Sequence, residues 1–444
     1  MALTLSNCVF DILVCHFFFM KILVIGGGGR EHALVWKLRQ SSRVSQVFCL
    51  PGNGGICDEA QCLPGDVKNI DTLVAAAHQV EADLTVVGPE IPLSLGVVDE
   101  FMRRGMKIFG PTQAAAHLES SKSFAKEFMQ RHQIPTAHYA VCHSEQELHK
   151  SLGLFSAPVV VKADGLAAGK GVVIAASKEE AAAAAIGMLN GKLLGVVSSR
   201  VVLEEFLEGE ELSFLVLSDG ERVVPLAAAQ DHKRIGDGDT GANTGGMGAY
   251  STSTLVDSAM VDWLLNRIAR PVVAGMKSEG AEYRGVLYCG LMMTARGPMV
   301  LEFNCRFGDP ETQAVLMRLN SDLADALEAS AEGHLSDGLL QWSNGASCCV
   351  VMASGGYPGS FVSGKKISGL ERAAEVEGVK VFHAGTTKRE GAFYTNGGRV
   401  LGVSAHAPTL EGALGKAYQA AGLISFEDMH YRRDIGARAL KARK

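Results

Sequence analysis

The chain has 444 residues, 47% hydrophobic and 20% charged, with a formal net charge of −6. That length exceeds what one hydrophobic core usually supports, so roughly two to four domains are expected. The acidic balance and the lack of any Lys/Arg-rich run exclude a nucleic-acid footprint, while small anionic substrates remain open through local sites.

Met1 to Phe19 is apolar but has no Lys or Arg and carries Asp11. It therefore lacks the basic start of a secretory signal and the arginines of a transit peptide, and it is too short to span a bilayer. The segment reads as a dispensable extension, and Met20 opens a clean strand. The ten cysteines form no C-x-x-C pair and no His-flanked zinc spacing, so they are expected to be reduced, mostly buried thiols in a cytosolic protein.

From Met20 a strand at Lys21–Ile25 runs into Gly26-Gly27-Gly28-Gly29, a helix over Arg30–Gln40 and a strand at Val47–Leu50. A strand at Asp83–Gly88, a helix near Val97–Arg104 and a last strand at Lys107–Phe109 follow. Alternating strands and helices predict a parallel, doubly wound sheet. The glycine loop does not make it a dinucleotide fold. The third glycine slot of G-x-G-x-x-G holds Glu31 or His32, and the second strand ends in Leu50-Pro51-Gly52-Asn53, with no acid for a ribose hydroxyl. The loop serves either as a phosphate or sugar-phosphate site, with Arg30 as a forked partner, or as a tight turn with Arg30 in water.

One long helix is expected over Gln113–His132, leading into a second unit. There, VVVKADGLAAGKGVVIA (Val159 to Ala175) resembles a phosphate loop but is one residue short, lacks Ser or Thr after Lys170, and continues into a β-branched run. It predicts a strand, glycine loop, strand hairpin. Its lysines, Lys162 and Lys170, reach phosphates as mobile point charges or stand solvated on a surface turn. An Ala-rich helix (Lys178–Leu189) and a strand at Arg200–Glu205 complete this small α+β module.

Strands at Leu212–Leu217 and Val223–Ala228, a polar glycine-rich loop from Asp231 to Tyr250, a helix over Leu255–Ser278 and paired strands at Gly285–Thr294 and Met299–Asn304 come next. In LEFNCR, Glu302 and Asn304 share one strand face, and Arg306 continues it. A carboxylate and an amide oxygen are hard ligands suited to Mg²⁺ bridging phosphates, and an arginine neutralises charge on a moving phosphoryl group. A helix after Asp309-Pro310 ends the unit near Gly333, and a smaller α/β unit starts near Ala346.

VIGGGGREHAL, PGNGG, TVVGPE, KIFGPT, VKADGLAAGKGV, EEFLEGEE, QDHKR, NTGGMGAY, LEFNCRFGDPET, TNGGRVL and YRRDIG together resemble the glycinamide ribonucleotide synthetase family of ATP-grasp enzymes, over nearly the whole chain from Met20. The resemblance implies an N-terminal doubly wound parallel sheet (20–120), an α+β ATP-grasp core (121–333) with a lid subdomain (139–205), and a small C-terminal α/β domain (338–444). It implies ligation of glycine to 5-phosphoribosylamine with ATP and Mg²⁺, Mn²⁺ being possible, by a cytoplasmic monomer or weak homodimer. It places Lys122, Lys162, Arg234 and Asn243 near the ATP phosphates, Glu204, Glu205, Phe206 and Leu207 along the adenine, and Glu211 at the ribose. Glu302 and Asn304 hold the metal, and Arg306 and Lys162 are catalytic. Gly28, Gly29, Arg30, Glu31, Pro51, Gly52, Asn53, Pro89, Glu90, Asp231 and Lys233 are assigned to the other substrates. The chain departs from the family pattern at Leu194–Ser198, Ala242 and Thr252, positions that bear on the lid's kinetics.

Overall fold

The structure is a computed structural model that describes residues 19–166, 171–191 and 198–441. The extension (1–18), the hairpin tip with Lys170, and all of the Leu194–Ser198 departure except Ser198 lie outside these residues.

The first unit contains β1 (Met20–Gly26), α1 (Gly29–Leu38), β2 (Val44–Pro51), α2 (Ile56–Glu59), β3 (Gln61–Cys62), α3 (Ile70–Val80), β4 (Leu84–Val87), α4 (Glu90–Ser94), α5 (Val97–Arg103) and β5 (Ile108–Phe109). Its strands pair in the order β3-β2-β1-β4-β5, all parallel, as alternating strands and helices require. Ile22 to Ile25 of the central strand are fully buried. Consequently the loops after β1, β2 and β4 emerge together at the carboxyl edge of the sheet, where open α/β sheets bind ligands.

The expected single helix over Gln113–His132 is two helices, α6 (His117–Ser120) and α7 (Lys122–Arg131). Ser121 adopts an extended conformation between them and accepts from Phe124 N, capping α7. A serine with a free helix start after it outweighs the periodicity that had joined the two.

The lid comprises β6 (Tyr139–Cys142), α8 (Glu145–Leu152), β7 (Val159–Ala163), β8 (Val172–Ala175), α9 (Lys178–Leu189) and β9 (Val201–Glu205). Its antiparallel sheet runs β6-β9-β7-β8 around its own apolar core of Val159, Val161, Leu203 and Met188. The predicted hairpin is the pair β7–β8, in register from Val159↔Ala175 to Lys162↔Val172.

Next come β10 (Glu210–Asp219), β11 (Val223–Pro225), β12 (Gln230–Asp231), β13 (Arg234–Gly236), β14 (Thr240–Asn243) and β15 (Gly248–Thr252). After them lie α10 (Ser258–Leu264), α11 (Arg270–Ser278), β16 (Arg284–Thr294), β17 (Gly297–Asn304), α12 (Glu311–Val315) and α13 (Leu323–Glu332). A π-helical turn, Leu265–Ala269, makes α10 and α11 continuous. The segment expected as a loop, Asp231 to Tyr250, therefore holds short strands: β13 and β14 form a hairpin, and β15 pairs with the C-terminal unit. Its glycines and polar residues lowered the strand signal, while partners remote in sequence supplied the ladder.

The C-terminal unit has β18 (Ala346–Ala353), β19 (Lys366–Ile367), α14 (Leu370–Ala374), β20 (Val379–His383), β21 (Thr386–Arg389), β22 (Ala392–Thr395), β23 (Arg399–Ala407), α15 (Leu410–Ala421) and α16 (Ala437–Lys441). Its main sheet runs β12-β15-β18-β23-β20. The middle and C-terminal units thus share a sheet, which fixes the C-terminal loops against the middle of the chain. Cys57 and Cys62 form a disulfide, so the expectation of wholly reduced thiols is corrected for this pair, which α2 and β3 bring together. Cys49, Cys142, Cys289, Cys305, Cys348 and Cys349 are buried and free. Among the described residues no helix is long and apolar enough to cross a membrane.

Candidate active site

Three backbone loops converge at the N-terminus of α1. A cavity of about 300 Å³ is walled by Gly27, Gly28, Gly52 and Asn53 from the first unit, Asp309 from the middle, and Ala384–Thr386, Asn396 and Arg399 from the C-terminal unit. Glycine is required where the loops touch. A Cβ on Gly27 would lie 2.4 Å from the Gly52 carbonyl oxygen, and one on Gly385 would lie 2.6 Å from the Gly397 Cα. Asn53 knots the loops: its Nδ2 donates to the carbonyls of Gly27 (2.9 Å) and His383 (2.8 Å), and its Oδ1 accepts from Gly55 N and Ile56 N. The start of α1 lies beside this cavity, and helix starts suit phosphates even where, as here, the N-cap amide is already taken by Glu31.

Two residues expected to hold substrate here make hydrogen bonds within the protein. Glu31 is buried under the loop; its Oε2 accepts from Gly28 N at 2.6 Å and its Oε1 from Arg30 Nε at 2.6 Å. Arg30 is 6% exposed and also donates to the Phe307 carbonyl at 3.1 Å. Its guanidinium thus braces the loop through Nε and Nη1. The arginine on the cavity wall is Arg399, which pairs with Asp309 at 3.1 Å and donates to the Gly245 carbonyl. In the sequence Arg399 is only the arginine of TNGGRVL, and long-range strand pairing brings it here. Pro51 ends β2 and Pro89 caps α4 at the same sheet edge.

Arg306 lies between Glu90 (Nε to Oε2, 3.3 Å), Glu119 (Nη2 to Oε1, 3.0 Å) and Asn304, whose Oδ1 accepts from Nη2 at 3.2 Å. Burial opposes its charge, but Glu119 and Glu90 outweigh that and hold it fully protonated. It donates to the Phe307 carbonyl at 3.2 Å, the same oxygen that Arg30 uses. The Phe307 carbonyl thus joins Arg30, at the start of α1, to Arg306 beside the strand that carries Glu302 and Asn304. Glu119, absent from the sequence reading, was hidden inside the helix expected over Gln113–His132.

Glu302 faces Lys233 at 3.9 Å. Burial raises its affinity for a proton, yet Lys233, Lys162, Lys122 and Arg306 together hold it below the usual carboxylate range. Among the described residues no cluster of three or more His, Cys, Asp or Glu could hold a metal. The Glu302 carboxylate and the Asn304 amide oxygen are hard donors of the kind a divalent cation takes, and alone they are too few to complete its shell. Lys233 also pairs with Glu211 at 2.6 Å, and burial pushes the neighbouring Asp231 carboxyl well up.

Lys122, at the start of α7, donates to the Gly165 carbonyl at 2.8 Å. Lys162, on β7, donates to the Leu301 carbonyl at 3.1 Å, next to Glu302. Glu204 is 2% exposed, with both carboxylate oxygens taken at 2.8 Å by Lys126 and Lys162. Its side chain consequently anchors the two lysines. Glu205 pairs with Arg296 at 2.7 Å, and Phe206 is 37% exposed beside buried Leu207, an apolar surface for a base. Arg234 and Asn243 face each other across β13–β14, with Arg234 Nη1 donating to the Gly241 carbonyl.

Comparison with known proteins accords with this architecture. Profiles described as the N domain, the ATP-grasp (A) domain and the C domain of phosphoribosylglycinamide synthetase match residues 20–119, 120–312 and 347–438. A phosphoribosylamine–glycine ligase of Vibrio parahaemolyticus is 50% identical over 427 residues, covering 95% of this chain and 99% of that protein. The chain belongs to the phosphoribosylglycinamide synthetase family. Its Escherichia coli O157:H7 relative of the same name is 51% identical over 426 residues, 95% of this chain and 99% of that one. The crystal structure of the Thermotoga maritima phosphoribosylamine–glycine ligase superposes with a TM-score of 0.82 at 34% identity, over 94% of this chain and 100% of that one.

Proposed function

We propose that the protein joins glycine to 5-phosphoribosylamine with ATP, giving glycinamide ribonucleotide, ADP and phosphate, a step of purine biosynthesis. The observation that carries this reading is the shared Phe307 carbonyl, which sets a cavity suited to a sugar phosphate against the cations suited to a triphosphate.

The adenine lies against Phe206 and Leu207 and the ribose near Glu211. Lys122, Lys162, Arg234 and Asn243 meet the phosphates. Mg²⁺, with Mn²⁺ as an alternative, would be held by Glu302 and Asn304 and would offset charge on the phosphates. The phosphoribosyl group occupies the α1 cavity, between Gly28, Gly29 and Gly52, with Arg399 beside it, and Asp231 and Lys233 stand near the amino acid. Glycine's carboxylate attacks the γ-phosphorus, and Arg306 and Lys162 spread the charge of the moving group. The neutral amine of phosphoribosylamine then attacks the carbonyl of glycyl phosphate and releases phosphate. No protein nucleophile is needed, and burial pushes the Cys305 thiol up, out of reach of ionisation. Substrates are small molecules, and a monomer or weak homodimer in the cytoplasm goes with this reading; the six buried free thiols fit a reducing compartment and the Cys57–Cys62 disulfide does not.

ADP release should require glycine and phosphoribosylamine together. Release with another amine acceptor, and none with phosphoribosylamine, would assign the site to a different carboxylate–amine ligation.

A further inference from the structure

Glu204 is a buried carboxylate shared by two buried lysines. Lys126 and Lys162 each approach one oxygen at 2.8 Å, and the side chains of Lys126 and Glu204 are 2% exposed. Lys126 sits one helical turn beyond Lys122 on α7, facing away from solvent. Its ammonium also donates to Thr136 Oγ1 at 2.7 Å, and that hydroxyl donates to the Val300 carbonyl at 2.6 Å, so the lysine is locked from both sides.

One cation is enough to neutralise one buried carboxylate, and burying a second is costly. The cost is visible: burial pulls the Lys126 ammonium down, to about 8, against the attraction of Glu204. Charge counting shows what the second cation achieves. Lys162 with Glu204 alone is neutral, whereas Lys126 with Glu204 and Lys162 carries one net positive charge. Of the two lysines, only Lys162 also reaches β17 beside Glu302.

We propose that Lys126 is a positioning residue for nucleotide binding, occupying one oxygen of Glu204 so that Lys162 presents an uncancelled positive charge to the phosphates of ATP. This rests on the reading of Lys162 as a phosphate ligand.

Calorimetric titration of the full chain with ATP and Mg²⁺ tests it. Lys162→Met should weaken ATP binding; if it does not, the nucleotide reading of Lys162 itself falls. Lys126→Met should weaken ATP roughly tenfold with the KM for glycine unchanged, and Lys126→Arg should retain affinity. Lys126→Met combined with Glu204→Gln should recover it, because Lys162 is again uncancelled. Unaltered affinity in Lys126→Met alongside a loss in Lys162→Met would overturn the proposal, as would a double variant weaker than Lys126→Met. Should Lys126→Met fail to fold, Lys126→Gln, which can still bond Thr136, gives the same reading: weaker ATP binding supports it and unchanged binding overturns it.

Discussion

At the end proposed for the nucleotide, Lys126, Lys162, Glu204, Glu302 and Arg306 hold one another through side-chain charge. At the end proposed for the sugar phosphate, the walls are backbone: Gly27 against Gly52, Gly385 against Gly397, with Asn53 tying the loops and one arginine on the cavity wall, Arg399. The first arrangement suits charge that moves during a reaction, since preorganised cations need no reorganisation at the transition state. The second suits an anion that only has to stay in place. Charge substitutions should therefore act on ATP binding and turnover at one end and on phosphoribosylamine affinity at the other.

Glu302→Gln tests the first half most severely. Turnover should fall on the order of a hundred- to a thousandfold, with thermal unfolding unchanged; near-normal turnover at ordinary Mg²⁺ would remove the metal assignment. Arg30→Ala should act through the fold, because it leaves buried Glu31 without its cation, a loss of about 3–5 kcal/mol readable by denaturant unfolding. Arg399→Ala belongs to the second half. Its KM for phosphoribosylamine should rise roughly tenfold or more with that for ATP unchanged, and equal effects on both would erase the division between the two ends.

A smaller effect is expected where the first and C-terminal units meet. Burial opposes the charge of Glu59, but hydrogen bonds and charges from His32 and Lys380 outweigh it and hold its carboxyl down to about 2. A depressed carboxylate stabilises the fold above its ordinary value of 4.5 and loses that contribution as pH falls toward 2. His32, kept neutral mainly by burial, acts in the same direction below its ordinary value of 6.5. Glu59→Gln should therefore flatten the acid limb of the stability profile and leave turnover at neutral pH unchanged. An unaltered acid limb would show that this junction does not set acid sensitivity.

The same contrast explains what could be read from the chain. Glu302, Asn304 and Arg306 lie within one short stretch, so strand alternation alone put the first two together. The parallel sheet and the β7–β8 hairpin followed from periodicity and glycine position. Arg399 and Asp309 were not legible as a pair, because the ladder of β15, β18 and β23 that joins them links segments far apart in sequence. Glu119 was masked by a helix pattern that Ser121 breaks. The bonds of Arg30 to Glu31 and Phe307, and the two lysines around Glu204, were not legible, because sequence shows that a charged residue is present and not which neighbours it meets.

Oxygen transfer is the most direct test of the proposed chemistry. With glycine carrying heavy oxygen in its carboxylate, one labelled oxygen per turnover should appear in inorganic phosphate, and ADP should be the nucleotide product. Label in AMP, or none in phosphate, would contradict attack by the glycine carboxylate on the γ-phosphorus.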